Sequence, residues 1–221
     1  MTTYTGTVKV GGPADVRQAG KLEITKVEVG PYGNNAYLLR CTETGELVLI
    51  DAANDAATLL ELIGGRPLAK VITTHRHNDH WYALEEVVQA TGATVVAHPE
   101  DADRLPVQVE PVRDGDTVAV GSCTLRVIHL VGHTPGSIAL VYDGDGELVD
   151  SPHIFTGDSL FPGGPGNTEK DVGRFTSLMN DLEAKVFGTL PDATWVYPGH
   201  GVDTTLGAER PSVPEWRARG W

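Results

Sequence analysis

Cysteine and basic residues are in short supply in this 221-residue chain, and long apolar runs are missing. Its two cysteines, Cys41 and Cys123, stand far apart in sequence. One bridge is arithmetically possible. Without a secretion signal, the expectation is two reduced, buried thiols in a cytoplasmic protein. The opening MTTYTGTVKVGG has no basic stretch followed by an apolar one, so no signal peptide is expected. No run approaches the roughly 18 apolar residues of a membrane helix. Lys and Arg total 17 against 30 Asp and Glu, a formal net charge of -13. Such a field repels phosphate backbones, which argues against nucleic-acid and anionic-membrane partners and leaves a small-molecule substrate. No Ser-His or Cys-His elbow offers a side-chain nucleophile.

What is present suits a packed core. Apolar residues make up 40% of the chain, enough for one large domain over residues 1–221. The runs LEITKVEV, NAYLLRC and ELVLIDA read as strands separated by Gly, Pro and Asn turns. DAATLLELIGG has helical spacing and ends on a glycine pair, as helices often do. AKVITTH is a strand, YALEEVVQATG a helix and ATVVAHP a strand. Strand signals return in VEPVRDGDTVAV, CTLRVIHL, SIALVYD and HIFTGDSLF. A Gly-rich stretch then leads to the helix TSLMNDLEAKVFGTL and a last strand, TWVYPGHG. Each half thus ends in helix-strand alternation. Two packed, antiparallel-rich sheets with helices outside are the economical arrangement, an α/β (α+β) sandwich.

The chemistry concentrates in VITTHRHNDHW, where His75, His77, Asp79 and His80 fall within six positions. Imidazoles and a carboxylate make a poor core, so this cluster reads as a metal site. In an extended segment His75, His77 and Asp79 share a face, because side chains alternate, and His80 points elsewhere. One segment can then serve two ions, His75 and His77 on one, Asp79 and His80 on the other. Further donors sit beside glycines at strand ends: His133 in VGHTPGS, Asp158 in FTGDSLF and His200 in YPGHG. Alone, His133 or His200 is more often a loop histidine, and Asp158 a turn residue. The cluster raises all three, since it needs partners from distant loops. His98, His129 and His153 are assigned to structure.

HRHNDH, GHTPGS, TGDSLF and PGHG, in this order, resemble the motifs of the metallo-β-lactamase fold superfamily. NNAYLL and VLIDAA resemble its early strands. The resemblance implies a four-layer αβ/βα sandwich with metals at the edge between the sheets. It implies His75, His77 and His133 as ligands of a first ion, and Asp79, His80 and His200 as ligands of a second. Asp158 would bridge both, and Asp51 would orient a ligand from behind. Within the superfamily the chain is similar to short glyoxalase II-like hydrolases, which share the run GHGVDTTLGAER at Gly199 to Arg210. The implied activity is thioester hydrolysis. A lactone hydrolase and a single-iron persulfide dioxygenase of the same fold stand as alternatives. True β-lactamases of this fold usually carry Cys or Ser where Asp158 stands. An inert structural zinc would use four closed Cys/His ligands, unlike this set.

Two departures bear on the substrate. Only 21 residues follow His200, too few for a helical glutathione-binding domain. Asn167 stands where a Lys or Arg would anchor the thiol carrier. The implied ligands offer N and O donors only, a set that accepts zinc first, or iron or manganese. Two such ions, typically about 3.5–4 Å apart, bring the pKa of bound water from about 15.7 toward 7. Asp79 and Asp158 would orient that water as the catalytic carboxylates. Substrate contacts are expected from Trp81, Tyr82, Phe161, Asn167 and the loop 162–173, with Trp81 equally readable as packing under the site.

Overall fold

The strand-like runs gather into two mixed sheets whose inner faces meet. The computed structural model describes residues 4–144 and 151–220. The first sheet runs in chain order: β1 (Asp15–Ala19), β2 (Leu22–Val29), β3 (Asn34–Cys41), β4 (Leu47–Ile50), β5 (Leu68–Ile72), β6 (Thr94–Ala97) and β7 (Glu110–Pro111). β1 to β4 are antiparallel; β4 to β7 are parallel. The second sheet contains β8 (Thr117–Val120), β9 (Cys123–His129), β10 (Ile138–Tyr142) and β11 (His153–Gly157). A short ribbon, β12 (Leu160–Phe161) with β13 (Gly164–Pro165), precedes its last strands, β14 (Trp195–Pro198) and β15 (Thr204–Thr205). β11 and β14 are parallel neighbours, so each sheet joins an antiparallel meander to a parallel crossover.

Parallel pairs need a crossover, and helices supply it. α1 (Ala56–Ile63) links β4 to β5, and α2 (Leu84–Thr91) links β5 to β6. α1 stops where Gly64 turns left-handed, at φ 65°, and its N–H donates to the Leu60 carbonyl. A short α3 (Pro99–Ala102) follows β6. α4 (Val172–Asp181), prolonged by a π-helical stretch Leu182–Phe187, links β11 to β14. α5 (Leu206–Glu209) and α6 (Val213–Arg219) come last.

The alternation along each strand sorts side chains into layers. Ile24, Leu39, Val48 and Ile50 of the first sheet pack against Leu125, Val127, Leu140, Phe155 and Tyr197 of the second. Their neighbours Leu38, Leu47 and Leu49 face outward, onto Leu59 and Ile63 of α1 and Leu84 and Val87 of α2. Ala139, Val141, Ile154 and Val196 face Phe175, Leu178 and Met179 of α4 and Trp216 of α6. The result is the four-layer αβ/βα sandwich. Each fully buried Leu or Ile adds about 1.5–3 kcal/mol relative to exposure.

Four local expectations change. VEPVRDGDTVAV splits at its turn, so β7 lies in the first sheet and β8 in the second. α4 begins at Val172, four residues ahead of TSLMND, because Asp171 caps it by accepting from the Arg174 N–H at 2.8 Å. β1 and α6 carried no recognised signal. Finally, HRHNDH is not extended to its end. Asn78–His80 forms a single 3-10 turn, with His80 N–H donating to the His77 carbonyl. Asp79 therefore leaves the face of His75 and His77 and travels with His80. Cys41 and Cys123 are buried and not joined to each other. No helix among the described residues is long and apolar enough to cross a membrane.

Candidate metal centre

Asp51 follows β4, His75 follows β5, His133 follows β9, Asp158 follows β11 and His200 follows β14. These strand ends share one edge of the sandwich, where loops on a rigid scaffold carry chemistry. The sequence brings seven donors to it. His75, His77 and His133 form one triad, and Asp79, His80 and His200 another. His75, His80 and Asp158 form a third group that overlaps them. Within each group the donor atoms lie within 4.8 Å of one another.

An acceptor behind most of the rings sets its orientation. The Nδ1 of His80 lies 2.8 Å from Asp51 Oδ2, and that of His75 lies 3.0 Å from Thr74 Oγ1. His133 Nδ1 donates to the Asn167 carbonyl at 2.8 Å, and His200 Nδ1 to the Tyr32 carbonyl at 3.1 Å. An acceptor at Nδ1 leaves Nε2 to face the centre. His80 and His200 meet there, Nε2 to Nε2, at 3.2 Å; His133 and His75 meet at 3.3 Å. His77 differs, presenting Nδ1 to His133 Nε2 at 2.9 Å.

Asp158 sits between the triads, its Oδ1 3.2 Å from His80 and its Oδ2 3.5 Å from His200 and 3.7 Å from His133. Oδ1 is buried and has no well-directed hydrogen-bond donor. Ring nitrogens at such separations need a proton or a cation between them, and a buried carboxylate oxygen needs the same. All donors are N or O and none is a thiolate. The residues therefore fit divalent metal ions, without selecting zinc over iron or manganese. Gly199 makes the approach possible: a Cβ there would meet Asp158 Oδ1 at 2.1 Å.

The two triads differ in charge. Burial holds His75 well below the ordinary histidine pKa, and the neighbouring imidazoles add to that. Burial also lowers His77 and His133, with Asp158 opposing in part. His80 moves the other way. Burial disfavours its charge, but Asp158 and Asp51 outweigh burial and push its pKa well above the ordinary value. His200 is raised likewise, by Asp79 and Asp158 against burial. Asp79 is held far below the usual carboxylate range, chiefly by its hydrogen bond with His200.

A family model described as the Metallo-beta-lactamase superfamily matches residues 29–200, a stretch that includes every residue of both triads. The chain belongs to this superfamily. It is 34% identical over 171 residues to a hydroxyacylglutathione hydrolase of Polaromonas sp., covering 76% of this chain and 62% of the relative. Among solved structures it is similar to TTHA1623 in a di-iron-bound form, at 32% identity and a TM-score of 0.67, covering 84% of this chain and 96% of that one. ETHE1 from Myxococcus xanthus is 31% identical with a TM-score of 0.73, covering 88% and 84%.

The superfamily motifs account for the donors and, among the residues that brace them, for Asp51 alone. Asp51 accepts from the Thr74 N–H and hydroxyl, both at 2.8 Å, as well as standing behind His80. It does so from a left-handed backbone at φ 58°, uncommon outside glycine and found where surroundings hold it. Asp101 is buried and passed unnoticed in sequence. It accepts from the Arg76 N–H at 3.0 Å, the Thr134 hydroxyl at 2.5 Å and the Gly136 N–H at 2.9 Å, tying HRH to HTPG. Its position just inside α3, after the cap residue His98, was the available signal. Asn34 Nδ2 donates to Asp79 Oδ2 at 3.0 Å.

The four expected substrate contacts divide. Trp81 packs against the outer core of the first sheet, and its Nε1–H donates to the Arg76 carbonyl at 2.8 Å. The 3-10 turn directs it inward, so it is a packing residue. Tyr82 is exposed and lines a cleft of about 390 Å³ with Tyr32, Asn78 and Asp79. Phe161 is half-buried, its ring 6.3 Å from that of His200. Asn167 spends its carbonyl on His133, and its side-chain oxygen accepts from the Glu169 N–H at 2.8 Å. His98 and His129 stack at 3.8 Å, and His153 is buried against Tyr197, all outside the triads.

Proposed function

We propose that this chain hydrolyses a thioester, with residues 1–221 working as one domain. Divalent ions, zinc first, would be held by His75, His77 and His133 on one side and by Asp79, His80 and His200 on the other. The observation that carries the reading is that both triads converge on one carboxylate, Asp158. The similarity to hydroxyacylglutathione hydrolases supports the substrate class. Bound there, the ions supply Lewis acidity, lowering the pKa of water toward about 7 and polarising a carbonyl.

The chain's own residues orient and exclude. Asp158 and Asp79 accept hydrogen bonds from the attacking water, and Asn34 fixes Asp79 for that task. Water adds to the acyl carbon, the C–S bond breaks, and the released sulfur takes a proton. The products are a carboxylic acid and a thiol. A thiolate leaves more readily than an alkoxide or amide, so lactone opening is the weaker side activity. Tyr82 and Phe161 flank the approach.

Asn167 offers no positive charge to a glutathione carboxylate. A high KM for S-lactoylglutathione is expected, with lower KM for a less anionic acyl thiol and little change in kcat, as when uniform binding is weak. Steady-state assays of zinc- and iron-loaded protein across a panel of acyl thiols test this. No cleavage of any thioester in either form would overturn it.

One observation favours a second reading. His75, His133 and Asp158 alone make a two-histidine, one-carboxylate set, with His133 3.3 Å from His75 and 3.7 Å from Asp158. That set suits a single iron(II) in oxygen chemistry. Oxygen uptake with a persulfide by the iron form, and no hydrolysis, would select it.

A further inference from the structure

Lys26 is a charge that the chemistry above does not use. It lies on β2 with its side chain fully buried, paired to a side chain as deeply buried, Asp203. The ammonium has three protons, and the structure gives each an acceptor. They go to the Gly6 carbonyl at 2.8 Å, the Gly201 carbonyl at 2.7 Å and Asp203 Oδ1 at 2.6 Å. Asp203 Oδ2 accepts from the Tyr4 hydroxyl at 2.6 Å and from Trp195 Nε1–H at 2.9 Å.

Stability alone is a poor reason for such a pair. Taking two charges out of water is costly, and a well-packed apolar pair of the same size often serves the fold as well or better. The site of attachment suggests another reason. Gly201 directly follows His200, and Asp203 closes the same GHGVD run. The run is also held from β3: Asn35 N–H donates to the Gly199 carbonyl at 2.7 Å, and Asn35 Nδ2 to the Gly201 carbonyl at 2.9 Å. His200 is thus suspended between two backbone carbonyls, each fastened to the opposite sheet. Nothing comparable ties Lys26 to His75, His77 or His133, which are braced by Thr74, Asp101 and the Asn167 carbonyl.

We propose that Lys26 and Asp203 are positioning residues for the second metal position. Their buried ion pair fixes the backbone around His200 so that its Nε2 stands opposite His80 and Asp79, at 3.2 and 3.4 Å. The first triad does not depend on them. The inference rests on the two-ion reading above.

Zinc titration by calorimetry, with elemental analysis of ions bound per chain, tests it without recourse to activity. Wild-type protein should bind in two steps. Lys26→Met should weaken the second by about 10–100-fold, the range for losing an outer partner of a metal ligand, and leave the first within about twofold. Lys26→Met leaves Asp203 buried without its cation and can fail to fold. The double variant Lys26→Met/Asp203→Leu removes both charges, and should fold while keeping the weak second step. Tyr4→Phe takes only a hydroxyl from the edge of the network, and should weaken the second step by a few-fold. Circular dichroism checks the fold of each.

Two wild-type-like steps in the double variant would overturn the positioning role. Equal loss of both steps would do so too. If neither Lys26 variant folds, unchanged binding by Tyr4→Phe overturns it. A single step in the wild type would instead remove the two-ion reading, and the positioning role with it.

Discussion

The two triads of this site are built in different ways. His75, His77 and His133 come from two strand ends and are braced nearby, with His75 and His133 buried. Asp79, His80 and His200 include a carboxylate, and the side chains of Asp79 and His200 are 25% and 26% exposed. Their support reaches across the molecule, from Asn34 and the Lys26–Asp203 pair, while Asp51 stands directly behind His80 and, through Thr74, behind His75. One triad is thus neutral, enclosed and locally held. The other is charged, open and held at a distance. The difference teaches that the two positions need not fill together. The second should respond first to changes in proton concentration and in remote packing.

The change that should abolish the distinction is Asp158→Asn. The carboxylate faces both triads, and an amide cannot neutralise charge between two cations. Both zinc-binding steps should weaken, by more than the roughly 100-fold ceiling for an outer partner. His98→Ala and His129→Ala, outside the triads, should leave both steps within about twofold. Calorimetric titration of the three variants decides this. Asp158→Asn with affinities like those two would remove Asp158 from the site.

Acid should separate the steps next most strongly. Metal binding needs neutral imidazole, so each bound proton must be displaced. His80 and His200 have raised pKa values and keep their protons to higher pH; His75, His77 and His133 have lowered values and lose theirs sooner. As pH falls from about 7.5 through the ordinary histidine value of about 6.5, the imidazoles of the second triad take up protons ahead of those of the first. The second step should lose up to about tenfold in affinity per pH unit for each proton displaced, and the first much less. Zinc titrations at several pH values measure both slopes. A steeper slope for the first step would reverse the assignment.

These contrasts also separate what was legible in the sequence from what was not. The donors were legible because HRHNDH, GHTPGS, TGDSLF and PGHG concentrate rare residue types beside strand ends and glycines. The layers were legible because β10 is a continuous apolar run, because β2 and β3 are apolar-rich runs bounded by turn residues, and because glycines end α1 and α2. Of the braces, only Asp51 was. Lys26 reaches Gly201 across 175 positions and Asn34 reaches Asp79 across 45, and nothing local marks either residue. Tyr32 and Asn167 act through backbone carbonyls, which any residue supplies. Period-two reasoning put Asp79 on the face of His75 and His77 because it carried HRHNDH straight through the point where Asn78–His80 turns.

Asp101→Asn should give the mirror image of the Lys26 variants, on a smaller scale. Asp101 accepts from Arg76, between His75 and His77, and from Thr134 and Gly136, just after His133. It therefore joins the segments that carry the first triad and touches neither His80 nor His200. An amide of the same shape keeps one acceptor oxygen but places an NH₂ against donors, so at least one bond is lost. The first zinc step should weaken by about tenfold or less, toward the lower end for an outer partner, and the second should hold. The first triad keeps its supports from Thr74 and the Asn167 carbonyl, which is why the effect is the smallest of the set. Asp101→Asn and Lys26→Met/Asp203→Leu, titrated side by side, should weaken opposite steps. If both weakened the same step, the two triads would share one frame, and the contrast between a locally held and a remotely held position would fail.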